Sequence, residues 1–298
     1  MNVLSLFDGI SCGHLALDRV GIKVDNYYSS EIEPFAIAVT QKNYPNTIQL
    51  GDAFDIDYTK LPKIDLLMGG SPCTYWSSAR AKDTGRELTP DGIGGQLFMQ
   101  YVRALKETSP KYFLYENNNS MSKAIKDFIT KELGVEPIMI NSSLVSAQVR
   151  RRLYWTNIPN ITQPEDKEIK LIDILDKHVD DKYYLSEKMK KYAMSSGTKT
   201  FYVKPEINLE KSRPLTTAPN KRSGTTTYMT DDFVNGGSSE RMRRLTPKEY
   251  ERCQTIPEDY TRLTDHKFED SKRYKAVGNA WTVDVIVHIL KNIKEENK

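Results

Sequence analysis

The chain has 298 residues, of which 28% are charged and 38% hydrophobic, and its formal net charge at pH 7 is +3. This balance is typical of a globular protein with one large domain, or a main domain and a smaller one, and no run approaches the roughly 18 consecutive apolar residues of a membrane span. Because no basic segment precedes an apolar run at the start, we expect no secretory or transit peptide and a cytoplasmic protein.

The first half of the sequence alternates short β-rich runs with amphipathic stretches. Strands are predicted over residues 3–7, 24–30, 64–68, 112–115 and 137–140, and helices over residues 14–20, 34–44, 96–107 and 120–133. Strands separated by helices of this length indicate a mostly parallel sheet with helices on both faces, which is a doubly wound α/β domain. In such a domain ligands bind beyond the carboxyl ends of the strands.

A glycine turn and two acidic residues follow the first strands. The turn is Phe7-Asp8-Gly9-Ile10-Ser11, Glu31 ends the second strand, and Asp52 follows further on. Such a turn lets the backbone approach a ligand, and an acid about 20 residues on can bind ribose hydroxyls. The same pattern often only packs a helix on a strand, so alone it does not establish a nucleoside site.

Cys73 ends the segment Gly69-Gly70-Ser71-Pro72-Cys73 at the close of the next long strand. A lone cysteine is more often a packing residue than a nucleophile, and three cysteines without ligand spacing predict neither disulfides nor a metal site. Its place at the sheet edge, after a rigid proline and before a glycine-rich loop over residues 79–95, favours a reactive thiolate. Cys12 and Cys253 lack this setting and are interpreted as packing residues.

Charged residues near the sheet edge complete a candidate constellation. Glu116 follows a hydrophobic strand, where it could donate a proton to a ring nitrogen. Arg150 and Arg152 are predicted to lie on one face of a strand at period two, either guarding a sheet edge or holding a carbonyl oxygen and that carboxylate.

The alternation fails between residues 156 and 242, which predicts a second, irregular domain. Residues 150–250 carry 20 Lys and Arg against 14 Asp and Glu, an excess that slightly favours contact with nucleic-acid phosphates. Helical signals return at Thr246, where Glu249 would complete a capping box, and a last amphipathic helix is predicted over residues 281–293.

Taken in order, these segments resemble the motif series of the DNA cytosine-5 methyltransferases, except over about residues 157–240. The residues that carry the resemblance are Ser5-Leu6-Phe7-Asp8-Gly9-Ile10, Gly70-Ser71-Pro72-Cys73, Glu116-Asn117, Gln148-x-Arg150-x-Arg152-x-Tyr154, Arg244-Leu245-Thr246-Pro247, Arg252-x-Gln254-x-Ile256-Pro257 and Val277-Gly278-Asn279-Ala280. The N-terminal motifs look like the animal de novo branch, and the compact chain looks like bacterial or phage enzymes. Asn118 departs from the family, in which valine is usual after Glu-Asn.

The resemblance implies a S-adenosylmethionine-dependent methyltransferase fold. Its catalytic and cofactor-binding domain would cover residues 1–156, a target-recognition domain residues 157–242, and a C-terminal segment, residues 243–298, would pack back on the first domain. The implied cofactor is S-adenosyl-L-methionine and the implied partner is double-stranded DNA, in a prokaryotic or phage-infected cytoplasm, with no obligate protein partner.

The resemblance also implies a role for each motif residue. The Cys73 thiolate would add to carbon 6 of a flipped-out cytosine, Glu116 would steady the protonated ring nitrogen 3, and Arg152 would hold the base carbonyl. The implied catalytic residues are Cys73, Glu116, Arg150 and Arg152. The implied cofactor contacts are Phe7, Asp8, Gly9, Ile10, Ser11, Glu31, Ile32, Asp52, Ala53, Pro72, Asn279 and Trp281. The candidate DNA contacts are Ser77, Arg80, Arg86, Lys221, Arg222, Arg241 and Arg243.

Three other functions compete with this interpretation. A relative that methylates cytosine in transfer RNA would keep the fold, but the Cys-Phe-Thr element of that branch is missing here. A catalytically silent DNA-binding paralogue would not need an intact set of catalytic residues. A nicotinamide-dependent oxidoreductase explains only the first strand-helix-strand unit.

Overall fold

The computed structural model describes residues 1–77, 85–194, 197–198, 201–202, 206–219, 226–236, 241–263 and 269–296. The chain forms two compact units. The first comprises residues 1–141, 151–164 and 285–298, and the second comprises residues 142–150 and 165–284. These units do not follow the predicted ranges throughout, since residues 142–150 and 243–284 lie in the second unit, and residues 157–164 and 285–298 lie in the first.

A seven-stranded sheet organises the first unit. Its strands are β1 (Asn2–Leu6), β2 (Asn26–Ser30), β3 (Ile48–Gln49), β4 (Leu66–Gly69), β5 (Tyr112–Asn118), β6 (Ile138–Asn141) and β7 (Arg151–Thr156). The spatial order is β3-β2-β1-β4-β5-β7-β6. The first five strands are parallel, and β7 pairs antiparallel with both β5 and β6. The predicted mostly parallel sheet is therefore confirmed, and its order reverses between β1 and β4, where such sheets bind ligands.

Helices connect the parallel strands, as predicted. They are α1 (Cys12–Val20), α2 (Pro34–Asn43), α3 (Ile93–Thr108) and α4 (Lys123–Leu133). In α4 the side chain of Ser122 accepts the amide of Ile125, and Gly134 ends the helix with a φ of 69°. These are the end signals that a polar cap residue and a left-handed glycine provide.

Aromatic side chains fill the core beside β5. Tyr115 is fully buried, and the centroid of its ring lies 5.1 Å from that of Phe98, 4.9 Å from that of Tyr101 and 5.9 Å from that of Trp155. Ring pairs at such separations contribute beyond their buried area. The strand that carries Glu116 is therefore rigidly supported.

The second unit has short, irregular elements, as the loss of alternation predicted. They are α5 (Glu187–Met194), β8 (Gly197–Thr198), β9 (Phe201–Tyr202), β10 (Glu206–Ile207), β11 (Thr227–Thr230), α6 (Asp231–Asn235), β12 (Met242–Arg244), α7 (Pro247–Cys253) and α8 (Glu269–Asn279). Strands β10, β11 and β12 form one small sheet. The final helix, α9 (Val283–Glu296), lies mostly in the first unit. Within the described part of the chain, no helix is long and apolar enough to cross a membrane.

A buried ion pair anchors the start of α7. The predicted capping box is confirmed, because the amide of Glu249 donates to Thr246 Oγ1 at 3.2 Å and the amide of Thr246 donates to Glu249 Oε2 at 2.7 Å. The Glu249 carboxylate also accepts from both terminal nitrogens of Arg243, at 2.9 and 2.8 Å. The side chains of the pair are 1% and 0% exposed, so removing either charge would leave the other buried and unpaired.

We therefore predict that Glu249→Gln lowers the free energy of unfolding by about 3–5 kcal/mol, because the Arg243 charge loses its buried partner. Denaturant titration of both proteins measures this loss. The matched control is Asp127→Asn, which breaks an exposed ion pair with Lys123 and should cost under about 1 kcal/mol. Equal losses of unfolding free energy in the two variants would contradict the stabilising role of the buried Arg243–Glu249 pair.

Candidate active site

The turn after β1 has an unusual backbone that the half-buried Asp8 carboxylate holds in place. Phe7, Gly9 and Ser11 have φ angles of 56°, 61° and 58°. Asp8 accepts from the hydroxyls of Tyr27 at 2.8 Å and Ser29 at 3.1 Å, and also from that of Ser11. The hydrogen bonds that the Asp8 side chain accepts therefore serve to shape the turn.

Glu31 links this turn to the start of α2. Its Oε2 accepts the amide of Gly9 at 2.8 Å, and its Oε1 accepts the amides of Ile32 and Glu33, each at 2.8 Å. An ionised carboxylate has about four acceptor positions. Three are used within the protein, and the fixed carboxylate retains capacity for a ligand hydroxyl.

Arg103, which no sequence motif singles out, fixes the segment after β3. Its terminal nitrogens donate to the carbonyls of Ile56 at 2.8 Å and Ala53 at 2.7 Å. Within the segment, Asp52 Oδ1 accepts the amide of Phe54 at 3.0 Å. The Asp52 carboxylate is thereby held at the carboxyl end of β3.

Open space and exposed apolar surface lie beside these carboxylates. A methyl group added at Gly9 or at Gly51 would meet no described atom within 4 Å. Ile32 and Phe54 are 69% and 46% exposed, although both are large and apolar. A ligand that combines a flat apolar base with hydroxyl groups fits this set of residues, as a nucleoside does.

The segment after β4 holds Cys73 at the rim of the sheet. The Ser71 carbonyl accepts from Asn117 Nδ2 at 3.1 Å, and the Ser71 hydroxyl lies 2.7 Å from that of Tyr115. The Cys73 carbonyl accepts the amides of Trp76 and Ser77, at 3.1 and 2.9 Å, which closes a tight turn. Ser71 is buried, Pro72 is exposed and Cys73 is half-buried, so the thiol stands on a rigid and accessible turn.

The other two cysteines have the packing role that was expected. Cys12 is 3% exposed and Cys253 is fully buried. Burial raises the pKa of the Cys253 thiol to about 12. Neither of these residues offers an accessible sulfur atom, whereas Cys73 is half-buried.

Glu116 and Arg152 form an ion pair at the same edge of the sheet. The Glu116 carboxylate lies 2.9 Å from Arg152 Nε, and the two side chains are 12% and 14% exposed. Strand β4 pairs with β5 so that Gly69 lies opposite Tyr115. The residues that follow Gly69 and Tyr115, including Cys73 and Glu116, therefore come to one edge. Glu116 lies within β5 rather than after it, because β7 extends the pairing to Asn118.

The prediction that Arg150 and Arg152 share one strand face is wrong. Strand β7 begins at Arg151, and Arg150 belongs to the second unit. There its guanidinium donates to the carbonyls of Gly278 at 3.3 Å and Ala280 at 3.2 Å. Arg150 is 5% exposed, so these bonds give it a supporting role at the end of α8.

Two glutamines of the motif series support the same segment. Gln254 Nε2 donates to the carbonyls of Val277 at 3.1 Å and Ala280 at 3.0 Å, and Gln148 Nε2 donates to Gln254 Oε1 at 3.1 Å. This network holds the turn that carries Asn279, which is exposed, and Trp281, which is half-buried.

The candidate DNA contacts have different surroundings. Arg243 is buried against Glu249, so the prediction that it contacts DNA is wrong. Arg86 donates to the carbonyls of Ser120 at 2.7 Å and Trp76 at 3.4 Å. Arg241 lies 2.6 Å from Asp181 and 3.7 Å above the ring of Tyr184. Ser77 follows the Cys73 turn, and the residues that lie outside the described part of the chain are Arg80, Lys221 and Arg222.

A histidine is enclosed by aromatic rings behind the first turn. The centroid of the His14 ring lies 4.4 Å from that of Tyr27 and 3.8 Å from that of Tyr44, with nearly parallel planes. Its Nδ1 is buried and has no hydrogen-bond partner among the described residues. Burial lowers the pKa of His14 below its ordinary value of 6.5, against the opposing charges of Asp18 and Asp8.

This geometry predicts that His14 destabilises the fold as the solution becomes acidic. Below pH 6.5 the unfolded chain binds a proton that the folded His14 resists, so the free energy of unfolding falls as pH drops toward the folded pKa. His14→Phe keeps an aromatic ring and removes the titration. Urea unfolding at pH 7.5 and pH 5 should show a smaller acid loss for the variant, and an identical loss would contradict the assignment.

Comparisons with known proteins give a matching family and several relatives. The family model described as C-5 cytosine-specific DNA methylase matches residues 1–295. An orphan methyltransferase of Bacillus phage rho11s is 31% identical over 213 residues, which are 70% of this chain and 39% of the phage protein. A type II methyltransferase of Lactococcus lactis subsp. cremoris is 28% identical, and the match covers 98% of this chain and 78% of that protein. The chain thus spans well under two thirds of the phage relative.

The fold also matches solved structures. The methyltransferase EhMeth of Entamoeba histolytica superimposes with a TM-score of 0.77 at 16% identity, covering 100% of this chain and 99% of that chain. At this level of identity the likeness concerns the fold, and it confirms the doubly wound α/β architecture.

Proposed function

The chain belongs to the C-5 cytosine-specific DNA methylase family, and we propose that it transfers a methyl group from S-adenosyl-L-methionine to carbon 5 of a flipped-out cytosine in double-stranded DNA. The observation that carries this proposal is the position of Cys73. Its turn is bonded to β5 through Asn117, at the edge where Glu116 and Arg152 are paired. A nucleophile and a carboxylate at one rigid edge are what covalent activation of a ring requires.

The first unit offers residues that suit the cofactor. Glu31 would accept the ribose hydroxyls, Asp52 the adenine amino group, and Ile32 and Ala53 would contact the apolar base. The backbone of the turn from Phe7 to Ser11 would approach the methionine part, next to Pro72. When bound, the cofactor supplies an electrophilic methyl group on a sulfonium centre.

The chain's own residues would make carbon 5 of cytosine nucleophilic. The Cys73 thiolate forms a bond to carbon 6, and the ring's electrons move so that nitrogen 3 takes a proton, a state that Glu116 stabilises. Arg152 holds the Glu116 carboxylate in place and reaches the base carbonyl. Carbon 5 would then take the methyl group as the carbon–sulfur bond of the donor breaks, with the electron pair left on sulfur, and would lose its own proton to a base. Elimination of the Cys73 thiolate, with loss of the nitrogen 3 proton, would restore the aromatic ring and release 5-methylcytosine.

We assign the choice of target sequence to the second unit. The region of residues 150–250, which holds most of this unit, carries the chain's excess of positive charge, and it offers short strands and loops suited to groove contacts. Extruding the target base from the duplex costs a few kcal/mol, which contacts of this kind would supply. Its bacterial and phage relatives fit an enzyme of a prokaryotic or phage-infected cytoplasm.

Trapping on fluorinated DNA tests the proposal directly. We predict that the protein, given S-adenosylmethionine and duplex DNA amplified with 5-fluorodeoxycytidine triphosphate, forms a covalent adduct. Fluorine at carbon 5 cannot leave as the proton does, so the Cys73 bond persists. Denaturing gel electrophoresis detects the adduct, which Cys73→Ser should abolish and Cys253→Ser should retain.

Because 5-fluorocytosine replaces cytosine throughout the amplified DNA, the test does not require knowledge of the target sequence. A fluorinated transfer RNA transcript is offered in parallel. An adduct on the RNA alone would contradict the choice of substrate, and no adduct on either nucleic acid would favour a silent DNA-binding protein.

A further inference from the structure

We propose that Asn118 is a positioning residue for the nucleophile, holding both flanks of the Cys73 turn to the end of β5. The inference rests on the proposed function and concerns how its site is built. Asn118 is 3% exposed and stands where the resemblance leads us to expect valine. A buried amide is unfavourable unless its polar atoms are bonded, so its partners indicate what it does.

The first set of bonds fixes the orientation of Asn117. Asn117 Oδ1 accepts both the amide and the Nδ2 of Asn118, at 2.8 and 3.0 Å. Asn117 Nδ2 is thereby turned toward Ser71, to whose carbonyl it donates at 3.1 Å. If the Asn117 amide were flipped, its nitrogen would face two donors and its oxygen would face the Ser71 carbonyl. Asn118 thus selects the one orientation in which Asn117 bonds the segment before Cys73.

The second set of bonds reaches the other flank. Asn118 Oδ1 accepts the amide of Ser120 at 3.0 Å and its hydroxyl at 2.8 Å. The Ser120 carbonyl accepts from Arg86 at 2.7 Å, and Arg86 donates in turn to the Trp76 carbonyl at 3.4 Å. The amide of Trp76 closes the path on the Cys73 carbonyl at 3.1 Å.

Together the two sets form a ring of hydrogen bonds around the turn. The path runs from Ser71 through Asn117, Asn118, Ser120, Arg86 and Trp76 back to Cys73. A valine in place of Asn118 could make none of these side-chain bonds. Both polar atoms of the Asn118 side chain are bonded within this ring, so its role is to place the thiol. Misplacing a reacting group by about 1 Å can cost about 100-fold in rate.

The test is Asn118→Asp, which keeps the shape and the acceptor for Ser120 but replaces the Nδ2 donor with an oxygen facing Asn117 Oδ1. We predict that the rate of adduct formation on 5-fluorocytosine DNA, at saturating DNA and cofactor, falls at least tenfold. The dissociation constant for S-adenosylmethionine should stay within twofold, because the hydrogen bonds of the Asn118 side chain go to Asn117 and Ser120, and neither is assigned to the cofactor. A general loss of structure would change both quantities.

The matched control is Asn157→Asp, the same substitution at the opposite end of β5. Asn157 accepts the amide of Phe113 at 2.8 Å and donates to the Lys111 carbonyl at 2.9 Å, so it loses the corresponding Nδ2 donor at an exposed residue away from Cys73. Its rate should remain within twofold of wild type. If Asn118→Asp does not fold, Arg86→Met cuts the second path at a residue that is not fully buried and should also slow adduct formation at saturating DNA.

Two results would overturn the inference. The first is a wild-type rate of adduct formation in Asn118→Asp or, where that variant does not fold, in Arg86→Met. The second is an equal loss of rate in Asn118→Asp and Asn157→Asp. Failure of the wild-type protein to form any adduct would instead overturn the proposed function, and this positioning role with it.

Discussion

One buried side chain, the amide of Asn117, joins the two neighbouring strands from which the active site is built. Strands β4 and β5 end at the same edge, and the Asn117 hydrogen bond to the Ser71 carbonyl fixes how the backbone leaves β4. Since bonds of this kind are stronger away from water, a single buried amide can help to hold the turn that carries Cys73. The aromatic cluster around Tyr115 supports the same strand from behind. The accessible Cys73 thus stands on a rigid base.

The motif residues divide into those suited to chemistry and those that build the protein. Cys73, Glu116 and Arg152 lie at one sheet edge of the first unit, where a substrate base could meet them. Gln148, Arg150 and Gln254 are buried in the second unit and bind one another or the carbonyls at the end of α8. Spacing alone groups Arg150 with Arg152, yet β7 begins between them. The two arginines therefore have different tasks.

Much of the architecture could be predicted from the sequence because its cause is local. The apolar runs that form β1 and β4 can be recognised by their composition, and the capping box of Thr246 and Glu249 by its spacing. The features that the sequence does not predict depend on strand pairing and on side-chain contacts that form only in the folded chain. Strand β5 continues through Glu116 to Asn118 because β7 pairs with it, although glutamate and asparagine are poor strand formers. Arg243 stands in a basic run that predicts a phosphate contact, but its side chain is buried in an ion pair with Glu249. The bonds that connect Asn118 to the Cys73 turn pass through Ser71 and Arg86, which lie on segments that only folding brings close to β5.

We propose that Cys73, Glu116 and Arg152, at this edge of the sheet, methylate cytosine in DNA. The most direct measurement is base-resolution sequencing of 5-methylcytosine in DNA from a host without other cytosine methylation, expressing either the wild-type chain or Cys73→Ala. We expect 5-methylcytosine at one recurring sequence in the host with the wild-type chain and at none in the host with Cys73→Ala. DNA free of 5-methylcytosine in both hosts, with folded protein present, would contradict this proposal.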